Sequence, residues 1–413
     1  MKKPLLFLSI LFCFFSCQPE EEVRTTPRIP GEFEPHEAIW LGYSTGESEG
    51  VREQITIDMI KAIHPHVHVN LIVEQDSLSP NLLDSLALEG IDTSQISIVF
   101  QTPTDIWYRD PGPIFAVSPE NELVIIDFKY TNYANVLPDS IGERARGHEA
   151  IDRDIATRLD IDTVPSIIAI EGGAFETDGQ GTLIQVEAIT LGRNPHLTKA
   201  EIEADYQRCC GIEQVIWLPS GVADDPHNFS RISGNIFGFG TGGHTDEFVR
   251  FANDSTILLA WEEESEQNQH PIKQLNYEIF SKNYEILAAA KNVKGEPYRV
   301  IKVPHPDPQL DTMQMTEDWF SSPYWSEQLS RFQIEAGDTI YWASASSYLN
   351  YLITNEVVLI PAYGGDLAEK DQQVREIFTN LYPDRTIIGL DPIDLNYDGG
   401  GMHCRYQQQP KIQ

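Results

Sequence analysis

Four glycine-containing turns of the chain carry side chains suited to acid, base or nucleophilic chemistry: WYRDPGP (107–113), EGG (171–173), TGGHTDEF (241–248) and GGGMHC (399–404). Glycine permits backbone angles and close approaches that other residues forbid, so polar groups beside it often stand at the mouth of a site. The turns supply Asp110, Glu171, His244, Asp246 and Cys404. A cysteine is a good nucleophile once deprotonated, and an imidazole can assist that step and later hand a proton to a leaving group. Those two groups alone would equally suit a peptidase. The two aspartates tip the balance, because a pair of carboxylates can accept the N–H groups of a planar cation in bidentate fashion. Singly, each residue has a plainer reading. Asp110 before Pro111 starts a turn, Asp246 and Glu171 pair with a cation such as Arg109 or Arg250, His244 is a satisfied core residue and Cys404 a small filler. Trp40, Trp107 and Tyr348 read as core, and His403 receives no role because neighbours on an extended segment point opposite ways.

These turns must be held by the elements around them. Helix-like periodicity recurs ahead of strand-like runs. Residues 51–63 lead into VHVNLIV, LLDSLALEG into ISIVF, ARGHEAIDRDIATRL into SIIAIEGG, and AEIEADYQRCC into QVIWLP. Farther on, LNYEIFSKNYEILAAAK leads into YRVIKVP and DQQVREIFTNLYP into RTIIGLD. Such recurrence predicts an α/β architecture of repeated units, and periodicity leaves open whether they form an open sheet, a barrel or a ring. No Ser/Gly-rich linker interrupts the chain, although 413 residues would accommodate two or three domains. The formal charge of −34 excludes a sequence-independent nucleic-acid binder, which needs a basic surface to displace counterions. A hydrophobic content of 41% predicts a packed core despite that charge.

The N-terminus reads as an export signal. Lys2 and Lys3 precede the apolar run LLFLSILFCFFS, which ends at Cys17 and gives way to acidic residues. The run is shorter than the roughly 20 residues needed to span a bilayer. Its end resembles a lipobox, so residues 1–16 are expected to be a lipoprotein signal peptide, Cys17 the lipidated first residue, and 17–30 an acidic tether ahead of one domain at 31–413. The expected location is a bacterial cell envelope, with the membrane reached through that anchor. Of the remaining cysteines, Cys209 and Cys210 read as buried filler before a strand, with a vicinal disulfide as the alternative. An odd number of thiols makes no disulfide framework. No HExxH or paired CxxC spacing suggests a metal.

At these same positions the chain resembles the agmatine deiminase and bacterial peptidylarginine deiminase family of guanidine-modifying, pentein-fold enzymes. The resemblance runs from GEFEPHEAIWLGY (31–43) through WYRDPGP, EGGAFETDGQGTLIQVEAITLGRNP (171–195), QVIWLP, GGHTDEFVRF and ASSYLNYLITNEVVLIPAYG (345–364) to GGGMHCRYQQQP (399–410). It implies an α/β propeller of five ββαβ-type units about a pseudo-fivefold axis, with the site at the centre. It also implies roles: Cys404 attacks the guanidinium carbon to form a covalent thiouronium, His244 protonates the departing ammonia and later activates water, and Asp110 and Asp246 hold the guanidinium. Glu171 would orient His244, and Trp107 and Asn350 join the two aspartates as substrate-binding residues. The resemblance implies no cofactor and no metal, and by analogy a homodimer. Two stretches depart from the family pattern. FGTGGH replaces a DETDGH-like run that fits a diamine tail, after a segment at 223–242 that looks inserted, and DFKYTNYANV (127–136) replaces an aromatic, Gly-rich run. The expected activity is deimination of an agmatine-like alkylguanidine. The rivals are a peptidylarginine deiminase, a non-catalytic guanidine-binding lipoprotein, and an amidinotransferase sharing the covalent intermediate.

Overall fold

A computed structural model describes residues 25–43, 50–74, 79–134 and 147–412. The expected signal peptide and Cys17 lie outside the described residues. Among the described residues, no helix is long and apolar enough to cross a membrane.

Short β-branched strands such as Thr182–Val186 and Val357–Pro361 are buried at every residue, which marks them as interior strands covered on both faces. Among the described residues there are six sheets, and five of them repeat one pattern: an antiparallel pair whose second strand is joined in parallel by a strand arriving after a helix. Ile114–Val117 pairs antiparallel with Leu123–Lys129, the helix Ile151–Leu159 crosses over, and Asp162–Ala169 adds in parallel. Phe175–Thr177, Thr182–Val186 and Gln214–Leu218 repeat this, as do Val249–Asn253, Thr256–Trp261 and Arg299–Pro304, and Leu352–Ile353, Val357–Pro361 and Thr386–Leu390. The fifth sheet closes the chain on itself. The C-terminal strand Tyr406–Pro410 pairs antiparallel with His36–Gly42, which His68–Val73 and Ile96–Phe100 extend in parallel. The expected mixed α/β class and ββαβ order are therefore present.

The crossover helices bury one face. Ile151, Ile155 and Ala156 are the apolar stripe of the helix 151–159, whose left-handed C-cap Asp160 ends it. The helix Lys199–Cys210 starts at a reciprocal capping box between Thr198 and Glu201 and stops at Gly211, whose φ of +64° suits glycine. Cys209 and Cys210 fill its buried last turn as free thiols, with no vicinal disulfide.

Two boundaries differ from expectation. Arg28 exchanges backbone hydrogen bonds with Val117, its side chain pairs with Glu34, and Ile29 is buried, so residues 28–30, expected to belong to a tether, pack with the domain. The segment 223–242 is not an isolated loop either. Its strands Ser230–Ser233 and Ile236–Gly238 join Thr339–Ala343 and Leu310–Gln314 in the sixth sheet, over an aromatic cluster of Phe229, Phe237, Trp325, Phe332 and Trp342. The hydrophobic partners of that segment lie about a hundred residues downstream, which is why it looks detached in the sequence.

Candidate active site

Each of the five repeated sheets delivers polar residues from the same place, the turn just before its first strand. Asp110 precedes Ile114, Glu171 to Gly173 precede Phe175, His244 and Asp246 precede Val249, Asn350 precedes Leu352, and Cys404 precedes Tyr406. Equivalent positions in five units thus bring together residues up to 294 apart in the chain, such as Asp110 and Cys404. All six of these polar side chains are buried.

Gly173 marks where they meet. A β-carbon there would stand 2.8 Å from His244 Nδ1, 2.9 Å from Asp246 Oδ2 and 3.0 Å from Asp110 Oδ1. The hydrogen in its place leaves a space that two aspartates and an imidazole face. Asp110 Oδ1 accepts the Gly173 amide at 3.1 Å and lies 3.7 Å from His244 Nδ1, while Glu171 Oε2 lies 3.5 Å from His244 Nε2. On the far side, Asp246 Oδ2 is 3.7 Å from the Cys404 sulfur. Both His244 nitrogens, Glu171 Oε2 and Asp246 Oδ1 are buried without a hydrogen-bond partner among the described residues. Such groups are costly to bury unless something polar occupies the site they face.

Charge follows from this crowding. Burial pushes Asp110 up to about 6, with Asp246 and Glu171 adding to the rise while His244 and Tyr133 oppose it. His244 loses by burial but gains more from Asp110 and Glu171, which raise it to about 9, so it is an imidazolium at neutral pH. Glu171 is held at about 2 against its burial, chiefly by Arg193 and then by His244. Burial and the charges of Asp246, Glu247 and Asp110 push the Cys404 thiol well above its ordinary value. The resting site is therefore a thiol and an imidazolium among carboxylates, which favours an arriving cation that would offset the repulsion on the sulfur.

The ion-pair partners differ from those expected. Glu171 pairs with Arg193 at 2.8 Å, and Arg109 and Arg250 instead hold Glu32. Asp246 receives His403 Nδ1 at 2.7 Å, and His403 Nε2 faces Glu32 Oε1 at 2.9 Å. His403 thus has a clear structural task that the sequence reading denied it. The argument from alternation fails because His403–Arg405 is a 3-10 turn and not an extended strand. Asn350, expected to bind substrate, lies against the Cys404 sulfur. Its Nδ2 donates to Glu247 Oε1 at 2.7 Å and the Cys404 sulfur at 3.2 Å, and its Oδ1 accepts the His403 amide at 2.7 Å. Trp107 is half-buried, with its ring against Gly400, where a β-carbon would lie 2.7 Å from it.

Sequence reasoning missed several supports. Asp225, inside the segment that looked inserted, accepts the backbone amides of Thr241, Gly243 and His244 and so shapes the histidine turn. Arg193 also donates to Thr241 O at 3.0 Å, tying Glu171 to the same turn. Tyr133 donates its hydroxyl to Asp110 Oδ2 at 2.6 Å. Glu247 was legible as a carboxylate beside Asp246, but nothing in HTDEF shows that it turns toward the sulfur, 3.8 Å away. Glu32, Glu176 and His403 have the donor set of a cation site, yet Arg109 and Arg250 already supply the positive charge there.

Comparison with known proteins gives a consistent picture. The chain is 28% identical over 393 residues to a protein named "Putative agmatine deiminase" from Photobacterium profundum, covering 93% of this chain and 96% of that one. A similarly named protein from Listeria monocytogenes is 29% identical over 392 residues, covering 93% and 95%. Agmatine deiminase of Enterococcus faecalis, a solved structure, shares the fold with a TM-score of 0.72 at 24% identity, over 94% of this chain and 96% of that one. Deimination of a guanidino group is hydrolysis of a C–N bond, and a cationic substrate of that class suits a space faced by Asp110 and Asp246. Residues 28–410 match the family model described as Porphyromonas-type peptidyl-arginine deiminase, and the chain belongs to that family of guanidine deiminases.

Proposed function

We propose that the protein hydrolyses the guanidino group of an agmatine-like alkylguanidine to a ureido product and ammonia through a covalent adduct on Cys404. The observation that carries this reading is the convergence of His244, Asp246 and Asp110 on one point beside Gly173, with Asp246 also next to the Cys404 sulfur. Five ββαβ units arranged about a pseudo-fivefold axis account for how residues from five equivalent turns come to share that point.

In this mechanism the guanidinium enters between Asp110 and Asp246, and its charge lowers the thiol, whose proton leaves to solvent. The thiolate bonds to the guanidinium carbon. The His244 imidazolium then protonates one amino nitrogen, the C–N bond breaks, and ammonia departs, leaving an S-bound thiouronium. Neutral His244 next takes a proton from water as the water oxygen bonds to the same carbon. The remaining hydroxyl proton passes to solvent as the C–S bond breaks, and the ureido product leaves with the thiolate restored. Asn350 Nδ2 and the Gly401 amide, 3.2 and 3.4 Å from the sulfur, would stabilise the thiolate at both stages.

The curated relatives favour agmatine as the first substrate to test. Ammonia release should be measured with agmatine, free arginine and peptides containing internal or C-terminal arginine. Turnover of agmatine above the others supports the proposal, and turnover confined to peptides supports the peptidylarginine alternative. Cys404→Ala should abolish ammonia release while still binding the guanidine saturably. Ammonia release surviving in that variant would refute the covalent route, and saturable binding without turnover by the unaltered protein would mark a binding protein.

A further inference from the structure

The segment after the strand Leu123–Lys129 holds the most unusual backbone near the site. Asn132, Tyr133 and Ala134 are three successive non-glycine residues with positive φ, at +50°, +58° and +57°. L-residues visit this region singly and at a cost, so three in a row require surrounding contacts to hold them. Those contacts are specific. The Ala134 amide donates to Thr131 O at 3.2 Å, and His227 Nε2, from the segment at 223–242, lies 2.9 Å from Tyr133 O. The Tyr133 ring sits 6.0 Å from the rings of His244 and Tyr130, with the Arg193 guanidinium 5.9 Å from its centroid. The result is a phenol hydroxyl 2.6 Å from Asp110 Oδ2.

We propose that Tyr133 is a positioning residue that keeps Asp110 ionised and correctly turned for the incoming guanidinium, an inference that rests on the reading of this site as a guanidinium pocket. Asp110 is otherwise poorly placed to stay charged. It is buried, and Asp246, Glu171 and the Cys404 thiol face it, against one cation, His244. Its Oδ1 already accepts the Gly173 amide, so the phenol is the donor to its other oxygen. A hydrogen bond donated to a carboxylate favours the ionised form and fixes which lone pairs remain for a ligand. With Asp110 near 6, the ionised fraction at neutral pH depends on every such contact. The strained turn fits the same role, since this backbone carries the phenol to the carboxylate.

The test is Tyr133→Phe in the full chain, which keeps the ring and removes the hydroxyl. Loss of a hydrogen bond to a charged acceptor should move the Asp110 midpoint up by about one pH unit. The acid limb of kcat/KM for agmatine should move up by the same amount, with KM near pH 6 raised about fivefold and the difference shrinking above pH 8. A merely structural role would lower activity at all pH values without moving the limb, and that outcome, or superimposable profiles, overturns the proposal. Carboxyl NMR titration of Asp110 in the substrate-free protein, with and without the substitution, reads the same midpoint independently of turnover. An unchanged midpoint there refutes the role of Tyr133. Failure of the unaltered protein to release ammonia from any guanidine would instead refute the deiminase reading, and the two failures are distinguishable.

Discussion

Replacing Glu171 with Gln separates the two tasks this carboxylate performs. Glu171 is buried between the Arg193 guanidinium at 2.8 Å and His244 Nε2 at 3.5 Å. Its carboxyl is held at about 2 against an ordinary 4.5, which corresponds to about 3 kcal/mol of stability. Because the folded value is depressed, that stability is present above pH 4.5 and is lost as pH falls toward 2. The substitution also leaves Arg193 buried and without a counter-ion at this contact, and breaking a buried pair from one side costs about 3–5 kcal/mol. The effect on His244 is larger in consequence. The imidazole stands at about 9 against an ordinary 6.5, a net gain worth about 3 kcal/mol. One full charge at 3.5 Å contributes about 5 kcal/mol at an effective dielectric constant of about 20, so Glu171 alone outweighs that net gain. His244 in Glu171→Gln should therefore fall to its ordinary value or below. If the imidazolium is the acid that expels ammonia, the basic limb of kcat/KM should drop from near pH 9 to 6.5 or lower. Ammonia release between pH 5 and 10, with urea unfolding at pH 7, measures both effects. A basic limb that stays near 9, with stability reduced by less than about 1 kcal/mol, would refute the assigned geometry and the acid role together.

Substitutions at three further positions probe the same site. Gly173→Ala places a β-carbon 2.8–3.0 Å from His244, Asp246 and Asp110, so guanidine binding should weaken at least about 100-fold; calorimetric binding to Cys404→Ala/Gly173→Ala that matches Cys404→Ala alone would contradict this. His403→Ala removes the ring that bridges Asp246 and Glu32 and should cost about 1–3 kcal/mol in urea unfolding, whereas His403→Asn can still donate to Asp246 and should recover part of it. Asp225→Ala withdraws the acceptor from the Thr241, Gly243 and His244 amides, so it should lower kcat even though the carboxylate faces backbone and not the guanidinium space, and an unchanged kcat would show that the histidine turn holds its shape without it.

The α/β order was legible because the amphipathic helices and β-branched strands carry their own periodicity, and a local pattern predicts a local element. The reactive set was legible for a different reason. Cys404, His244 and the aspartates lie in glycine turns whose motifs survive as short contiguous strings, and the family resemblance covers nearly the whole chain in order. What contiguous strings cannot carry is the neighbour of a side chain across units. His403 looked idle beside Cys404 until a 3-10 turn sent it to Asp246 and Glu32, and Glu171 found Arg193 instead of Arg109 or Arg250.

By itself, the sequence determined which elements form, which turns interrupt them and which reactive side chains those turns carry, because propensity, periodicity and glycine placement act over a few residues. Tertiary structure decided the rest. It made the first strand of each repeated sheet the common reference for five distant turns, joined 223–242 to strands about a hundred residues away, and set the protonation of Asp110, His244 and Cys404. Burial and Coulomb interaction depend on distance in space, which a linear order of residues does not specify.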